Sequence, residues 1–378
     1  MVAFTISCNE SEVEESSLIS CSDGVMNGDE IGIDCGGSCE NDCLPENAIE
    51  GELVSVLQLT SDKEYVLTGP LLVRDGGRLL IQAGTVVKAQ KGNDVYIAIA
   101  QGGEILVYGR EDAPVIITSA EDNPQPGDWG GLLICGKAPL NSGEISRSRL
   151  LDLFYGGNDT TDSSGLLRYL RIEYAGALQN DGVPFNAFSF YGVGASTTIS
   201  NVQSYNSLGN GFEFIGGSVN VENLVANNSN ANGIYLREGW DGVLNRCYLE
   251  ENEEAGITIA NNEQNSLALP LTQGEIFEVT IIGTNTKGIS LLNGGGAFSL
   301  SNIYTKGLNI GINVSGSETV NLIDSGNFTI NNIEFDDPFT DFIATNYTGT
   351  FPSFYNESSN EGAGNKELTP EWAINWIR

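Results

Sequence analysis

Histidine is absent from this 378-residue chain, which removes the commonest general base and the commonest zinc ligand. A histidine-dependent triad and a histidine-containing zinc site are excluded. Positive charge is scarce as well: 17 Lys and Arg stand against 50 Asp and Glu, a formal charge of −33. That field repels phosphate backbones and anionic headgroups and argues against nucleic acid as a partner. Divalent cations, basic partners or plain solubility fit it better. No apolar run approaches the length of a membrane-spanning helix. What is present is 47 Gly, frequent Asn and Ser, and 40% hydrophobic residues, the balance of a folded chain.

The sequence opens MVAFTISC and continues NESEVEES. A short apolar run ending in small residues and Cys8 resembles the tail of a bacterial lipoprotein signal, with Cys8 as the lipidated residue. The run is too short for a whole signal and has no basic flank, so the expected signal begins upstream of Met1. Glu10, Glu12, Glu14 and Glu15 behind Cys8 resemble the surface-export signal of lipoproteins from Bacteroidetes-type bacteria. A lipidated chain is anchored to a membrane without spanning it.

Cys21, Cys35, Cys39 and Cys43 fall in a short Gly/Asp-rich segment. In an exported protein this even set reads as two disulfides, with three connectivities open. Paired C-x₂-C arms of a zinc site are missing. Counted as a calcium loop from Asp23, the segment places Asn27 at position 5, Asp29 at 7 and Asp34 at 12. Val25 stands where an EF-hand needs an oxygen ligand, and position 12 lacks the long Glu side chain. An EF-hand is therefore not expected. A looser Ca²⁺ site through Asp23, Asn27, Asp29 and Asp34 and a stapled turn with capping side chains both remain open.

Beyond about residue 65, short β-branched or aromatic runs are broken by Gly and Asn. NGFEF, NGIYL, AGITI, KGISL and IGINV recur, their glycines at Gly211, Gly233, Gly256, Gly288 and Gly311 spaced by 22, 23, 32 and 23 residues. The long interval holds NNEQNSLALPLTQGE, an inserted loop. One Gly-led strand per period of about 22 residues is the pattern of a parallel β-solenoid. Alternation along the strand predicts two inward columns. One is Phe188, Phe212, Ile234, Ile257, Ile289 and Ile312; the other is Phe190, Phe214, Leu236, Ile259, Leu291 and Val314. Ser189, Glu213, Tyr235, Thr258, Ser290 and Asn313 form the outward column between them. ISNVQSYN, VNVENLVANN and VLNRCYLEEN read as second strands, with Asn206, Asn228 and Glu251 at the next turn as a candidate ladder between coils.

The run APVIITSAEDNPQPGDWGGLLICGKAPLN, followed by YGGNDTTDSSGLLRYLRIEYAG, resembles a family of exported right-handed β-helix proteins common in Bacteroidetes. The resemblance implies a pectate-lyase-like superhelix and no agreed activity. The expected fold is therefore all-β: a right-handed parallel β-helix with a small N-terminal Cys-rich module and a short C-terminal helical cap. Residues 1–20 are the signal remnant and acidic linker, 21–45 the Cys-rich module, 46–345 the β-helix and 346–378 the tail and cap. Thr369, Pro370 and Glu371 suit the start of that helix, whose aromatics are expected to cover the open end of the solenoid.

Chemistry is harder to find. Glu213, Arg237, Glu238 and Asp241 lie on or near one outward face, with Tyr235 and Trp240 beside them as ligand-contacting aromatics. They are the candidates for glycan cleavage, which needs carboxylates in acid and base roles. A surface ion pair with shielding aromatics is the plainer reading. Arg171 and Glu173 read as cross-coil partners, Trp129 as the cover of a turn, and Cys135 and Cys247 as small buried residues. Asp159-Thr160-Thr161 matches a short O-glycosylation pattern with Thr160 as acceptor.

The expected function is that of a noncatalytic, surface-exposed outer-membrane lipoprotein whose rigid β-helix binds a ligand or an outer-membrane partner. The resemblance makes a TonB-dependent transporter the natural partner. The alternatives are a polysaccharide lyase or glycoside hydrolase acting on extracellular glycans, and a calcium-dependent adhesin or matrix scaffold.

Overall fold

The computed structural model describes residues 21–22, 26, 29–30, 35–40, 43–45, 47–149, 153–284, 286–336, 340–345 and 354–378. Two compact units divide the chain, Met1–Glu46 and Asn47–Arg378. In the first unit Cys21 pairs with Cys39 and Cys35 with Cys43, which settles the open connectivity. Asp29 accepts a hydrogen bond from the Ser38 hydroxyl at 2.7 Å. Cys8, Asp23, Asn27 and Asp34 lie outside the described residues.

The second unit is a parallel β-helix whose strands first appear at Ala48–Leu53. Each full coil contributes three legs, and each leg pairs in parallel with the same leg of the neighbouring coils, giving three long sheets. In one coil these are 198–200, 202–205 and Phe212–Ile215; in the next they are 220–222, 224–227 and Asn232–Arg237. The expected second strands are thus two legs in one, bent at a single residue in the left-handed region. That residue is Asn201, Asn223, Arg246, Glu278, Asn302 or Asn332, with φ between 56° and 62°. One such residue swings the strand into a new sheet without a loop, and Asn tolerates the conformation better than other non-glycine residues.

The third sheet has the expected register. Phe188, Phe212, Ile234, Ile257, Ile289 and Ile312 pair in sequence down one column, and all are buried. Phe188 and Phe212 stack with ring centroids 4.6 Å apart, and Phe190 and Phe214 at 5.0 Å. Such stacks add directional aromatic contact to the burial itself. The ladder between coils differs from expectation. Asn206, Asn228 and Glu251 are left-handed corner residues. The ladder runs through Asn186, Asn210 and Asn232 instead, each Oδ1 accepting from the backbone and amide nitrogens of the next Asn or from Thr258.

One α-helix, Ser317–Asp324, is inserted between the strands Ile310–Ser315 and Thr329–Asp336, burying Thr319, Val320 and Ile323. The tail departs from the expected helical end cap. Residues 371–376 form successive turns, closed by bonds such as Ala373 N–H to Pro370 O. They lie along the outer face of the second sheet. Ala363, Ala373 and Trp376 cluster there with Val225 and Tyr248, and Trp376 meets Tyr169 edge-on at 5.8 Å. The apolar residues that the tail covers explain this course: left bare, they would expose a hydrophobic strip along the sheet.

Candidate functional site

The outward column of the third sheet is polar, and three connections rise around it. The first is the hairpin of Ser146–Arg147 and Phe154–Tyr155. The second is the loop after Ala177, pinched shut where Leu178 meets Pro184. The third is the loop within the 32-residue coil. Asn141 fastens this loop, donating from Nδ2 to Asn261 Oδ1 at 2.8 Å and to the Pro270 carbonyl at 3.0 Å, and accepting from Asn262 Nδ2 at 3.0 Å. Together they wall a cleft of about 610 Å³.

Glu213 occupies the floor. Its Oε1 accepts from Arg237 Nε at 3.0 Å, and its Oε2 from Asn186 Nδ2 and the Tyr191 hydroxyl, each at 2.8 Å. The Glu213 and Arg237 side chains are only 7% and 18% exposed, so this pair is largely desolvated. Arg237 also donates to Glu238 at 2.8 Å and lies 5.4 Å from the centre of the Tyr235 ring. Burial works against its charge, but Glu213 and Glu238 outweigh it and hold the guanidinium pKa above its ordinary value. Burial pushes the Tyr235 hydroxyl up to about 12. Tyr191 lies far above its ordinary value, through burial and then the Glu213 charge. Both phenols are neutral hydrogen-bonding groups at physiological pH.

A description of the pectate-lyase-like β-helix domain matches residues 51–377. The chain belongs to that family. Among solved structures, the catalytic unit of the thermostable GH87 α-1,3-glucanase of Streptomyces thermodiastaticus strain HF3-3 is similar at 14% identity, with a TM-score of 0.43. The alignment covers 82% of this chain and 64% of the glucanase unit, a likeness too distant to inform the chemistry of the cleft. No curated protein matches the chain.

Within this pectate-lyase-like β-helix, the expected site residues divide. Glu213, Tyr235, Arg237 and Glu238 come together in the cleft. Trp240 does not: it is fully buried, packed between Phe214 and Phe298 at 5.6 and 6.1 Å, and cannot contact a ligand. Left-handed Glu238 and Gly239 end the strand alternation after Arg237 and turn the chain so that Trp240 enters the core. Asp241 follows it into the first sheet and accepts from Gln273 Nε2 at 3.1 Å, outside the cleft.

Asn186, Tyr191 and the Ser146–Arg149 wall were not among the expected site residues. Asn186 was legible, because Asn stands two residues before the inward column at 186, 210 and 232 alike. The wall carried no such periodic sign.

The remaining candidates lie outside the cleft. Arg171 and Glu173 sit on one strand rather than across coils, 2.5 Å apart, and Glu173 also holds Arg378 at 2.6 Å. Asp128 is buried, accepting from Ser119 Oγ, the Gln125 backbone N–H and Lys91. Trp129 lies in the core with its indole N–H on the Glu173 carbonyl. Two residues on, Gly131 packs so closely that a Cβ would stand 2.2 Å from the Asn186 carbonyl oxygen. Cys135 and Cys247 are free, buried thiols pushed up to about 12 by burial. Thr160 is exposed beside an Asx turn, in which Asp159 Oδ1 accepts from the Thr161 backbone and hydroxyl.

Proposed function

We propose that this chain is an exported β-helix, lipid-anchored through Cys8 at the outer-membrane surface, that binds a saccharide in the cleft without cleaving it. The saturation of Glu213 carries the noncatalytic part. A glycosidase acid must hold a proton for the leaving oxygen, and its partner must face a sugar carbon or a water. Glu213 instead accepts from Arg237, Asn186 and Tyr191 together, and Glu238 is tied to the same arginine. What lines the cleft is a set of hydroxyl, amide, guanidinium and carboxylate groups with a tyrosine ring, in a volume typical of small-molecule sites. These are the groups that hydrogen-bond sugar hydroxyls and pack against a sugar face.

Two disulfides support export to an oxidising compartment. An outer-membrane protein that receives the saccharide, of the TonB-dependent transporter class, completes this reading. The calcium-scaffold alternative is weaker, because Asp29 already uses a carboxylate oxygen on Ser38.

Titration calorimetry against a panel of neutral and acidic oligosaccharides tests the proposal. At least one is expected to bind, with affinity falling roughly tenfold or more in Tyr235→Ala. No shortened product should appear. Release of product by the native chain, abolished in Glu213→Gln, would overturn the noncatalytic reading in favour of a lyase or hydrolase.

A further inference from the structure

The charges that line the cleft are balanced. The lining holds three arginines, Arg147, Arg149 and Arg237, and three glutamates, Glu213, Glu238 and Glu263. All three glutamates converge on Arg237: Glu213 at 3.0 Å, Glu238 at 2.8 Å and Glu263 at 3.8 Å. Glu213 and Glu238 are 7% and 15% exposed, so they meet the guanidinium largely out of water; Glu263, on the inserted loop, is 57% exposed. Arg147 and Arg149 are exposed on the hairpin side, Arg147 lying 5.0 Å from the Phe154 ring centre. Arg149 also lines an adjoining cavity of about 350 Å³, in company with Asp94 and Asp181. Uncharged donors and acceptors make up much of the remaining lining, among them Gln179, Ser189, Asn210, Tyr235 and Gln264.

From this balance we infer that the charge pairing of the lining selects an uncharged saccharide and rejects uronate, sulfated and phosphorylated ones. The inference rests on the saccharide-binding reading above and names the class of saccharide. An anionic group seeking Arg237 would have to displace Glu213 or Glu238, leaving a mostly buried carboxylate without its counter-charge, a strongly unfavourable exchange. Held clear of the pair, it would face the same carboxylates as like charges. At Arg147 and Arg149 an ion pair would form in water and be worth little. An ammonium-bearing sugar meets the converse obstacle: Glu213 already accepts from Arg237, Asn186 and Tyr191, and Glu238 from Arg237. A hydroxyl both donates and accepts, so it can bond to the edge of the ion pair without breaking it. The overall charge of −33 adds to the exclusion of anions, but at physiological ionic strength that field decays over about 8 Å. Within that distance the lining decides.

The test is titration calorimetry on the full chain with oligosaccharides in matched pairs that differ in the charge carried by each sugar unit. The probes are oligouronides of the gluco, manno and galacto series, each beside its carboxyl-reduced form, and chito-oligosaccharides beside their de-N-acetylated forms. The tightest ligand is expected among the uncharged members, binding at least about tenfold better than its charged counterpart. Its affinity should not change between low and high salt, because the ligand brings no charge to be screened. Glu263→Gln should narrow the gap between an oligouronide and its reduced form, and adding Glu238→Gln should narrow it further, since each replacement removes a like charge from the lining. A charged oligosaccharide of either sign as the tightest ligand overturns the inference while the saccharide reading stands. So does a gap that neither replacement changes, or a salt-dependent affinity for the uncharged form. Failure of every member of the panel sinks the underlying reading instead.

Discussion

The second and third sheets are built from the same coils, yet they meet their surroundings in opposite ways. Outward residues of the second sheet include Val225 and Tyr248, and the chain covers them with its own tail. The outward column of the third sheet is Ser189, Glu213, Tyr235, Thr258, Ser290 and Asn313, and the chain raises walls around its first half instead. The outward residues therefore decide each face: an apolar strip requires a cover, whereas a polar strip with its partners in place can face a ligand. The inward columns are common to both and indifferent to the distinction.

Those columns give the largest expected effect. Phe212→Ala removes a ring stacked on Phe188 and leaves a void that the rigid coils cannot close, at a cost of about 3–5 kcal/mol. Chemical denaturation should show one lowered midpoint whether the unfolding probe sits on the second sheet or the third. Separate transitions for the two faces would break the view that they share one core.

Trp376→Ala should discriminate between the faces. Trp376 is fully buried, but only against the tail and the second sheet, so its loss acts on a local opening. The expected cost is ~3 kcal/mol at most, capped by the free energy of tail docking. Hydrogen exchange should quicken in the outer second-sheet strands around Val225 and Tyr248 while the floor of the cleft keeps its protection. Loss of protection at Glu213 and Arg237 would mean that the tail supports the cleft as well.

How much of this was visible beforehand follows the same division. The inward columns were legible because they repeat: a period near 22 and a two-residue alternation fix both register and direction, as Phe188 through Ile312 show. Glu213, Tyr235 and Arg237 were legible because they share that register. Trp240 was misplaced because its neighbours in sequence were taken for neighbours on a face, while left-handed Glu238 and Gly239 turn the corner between them. The walls and the tail were illegible for a physical reason. Their positions depend on single long-range contacts, such as Asn141 with Asn261 or Arg378 with Glu173, and such pairs leave no periodic trace.

The smallest effect concerns pH and again separates the two faces. The tail is tied to the second sheet by polar contacts as well as by Trp376. Tyr304 donates to Asp336 at 2.5 Å and to Glu367 at 3.2 Å, Lys306 reaches Glu367 at 3.3 Å, and Lys366 reaches Glu334 at 2.8 Å. Asp336 is held below the usual carboxylate range, chiefly by the Tyr304 hydroxyl. Glu367 is held low by a backbone hydrogen bond and then by Lys306 and Tyr304. Burial alone would raise Glu334, but Lys366 and the Asn360 backbone bring it below its ordinary value. Carboxyls depressed in the docked state stabilise it fully above their unfolded values, near pH 4, and lose that contribution as pH falls through the docked values. Tail docking should therefore be flat from neutral pH down to about 5 and weaken below about 4. A pepsin-sensitive cut within residues 354–378, appearing below that point while the coils remain resistant, would show it. Because these groups are partly exposed and salt screens them, the same shift should shrink at high ionic strength. If the tail held equally well at pH 3 and pH 7, its polar contacts would be incidental, and Trp376 with its apolar neighbours would account for the cover by themselves.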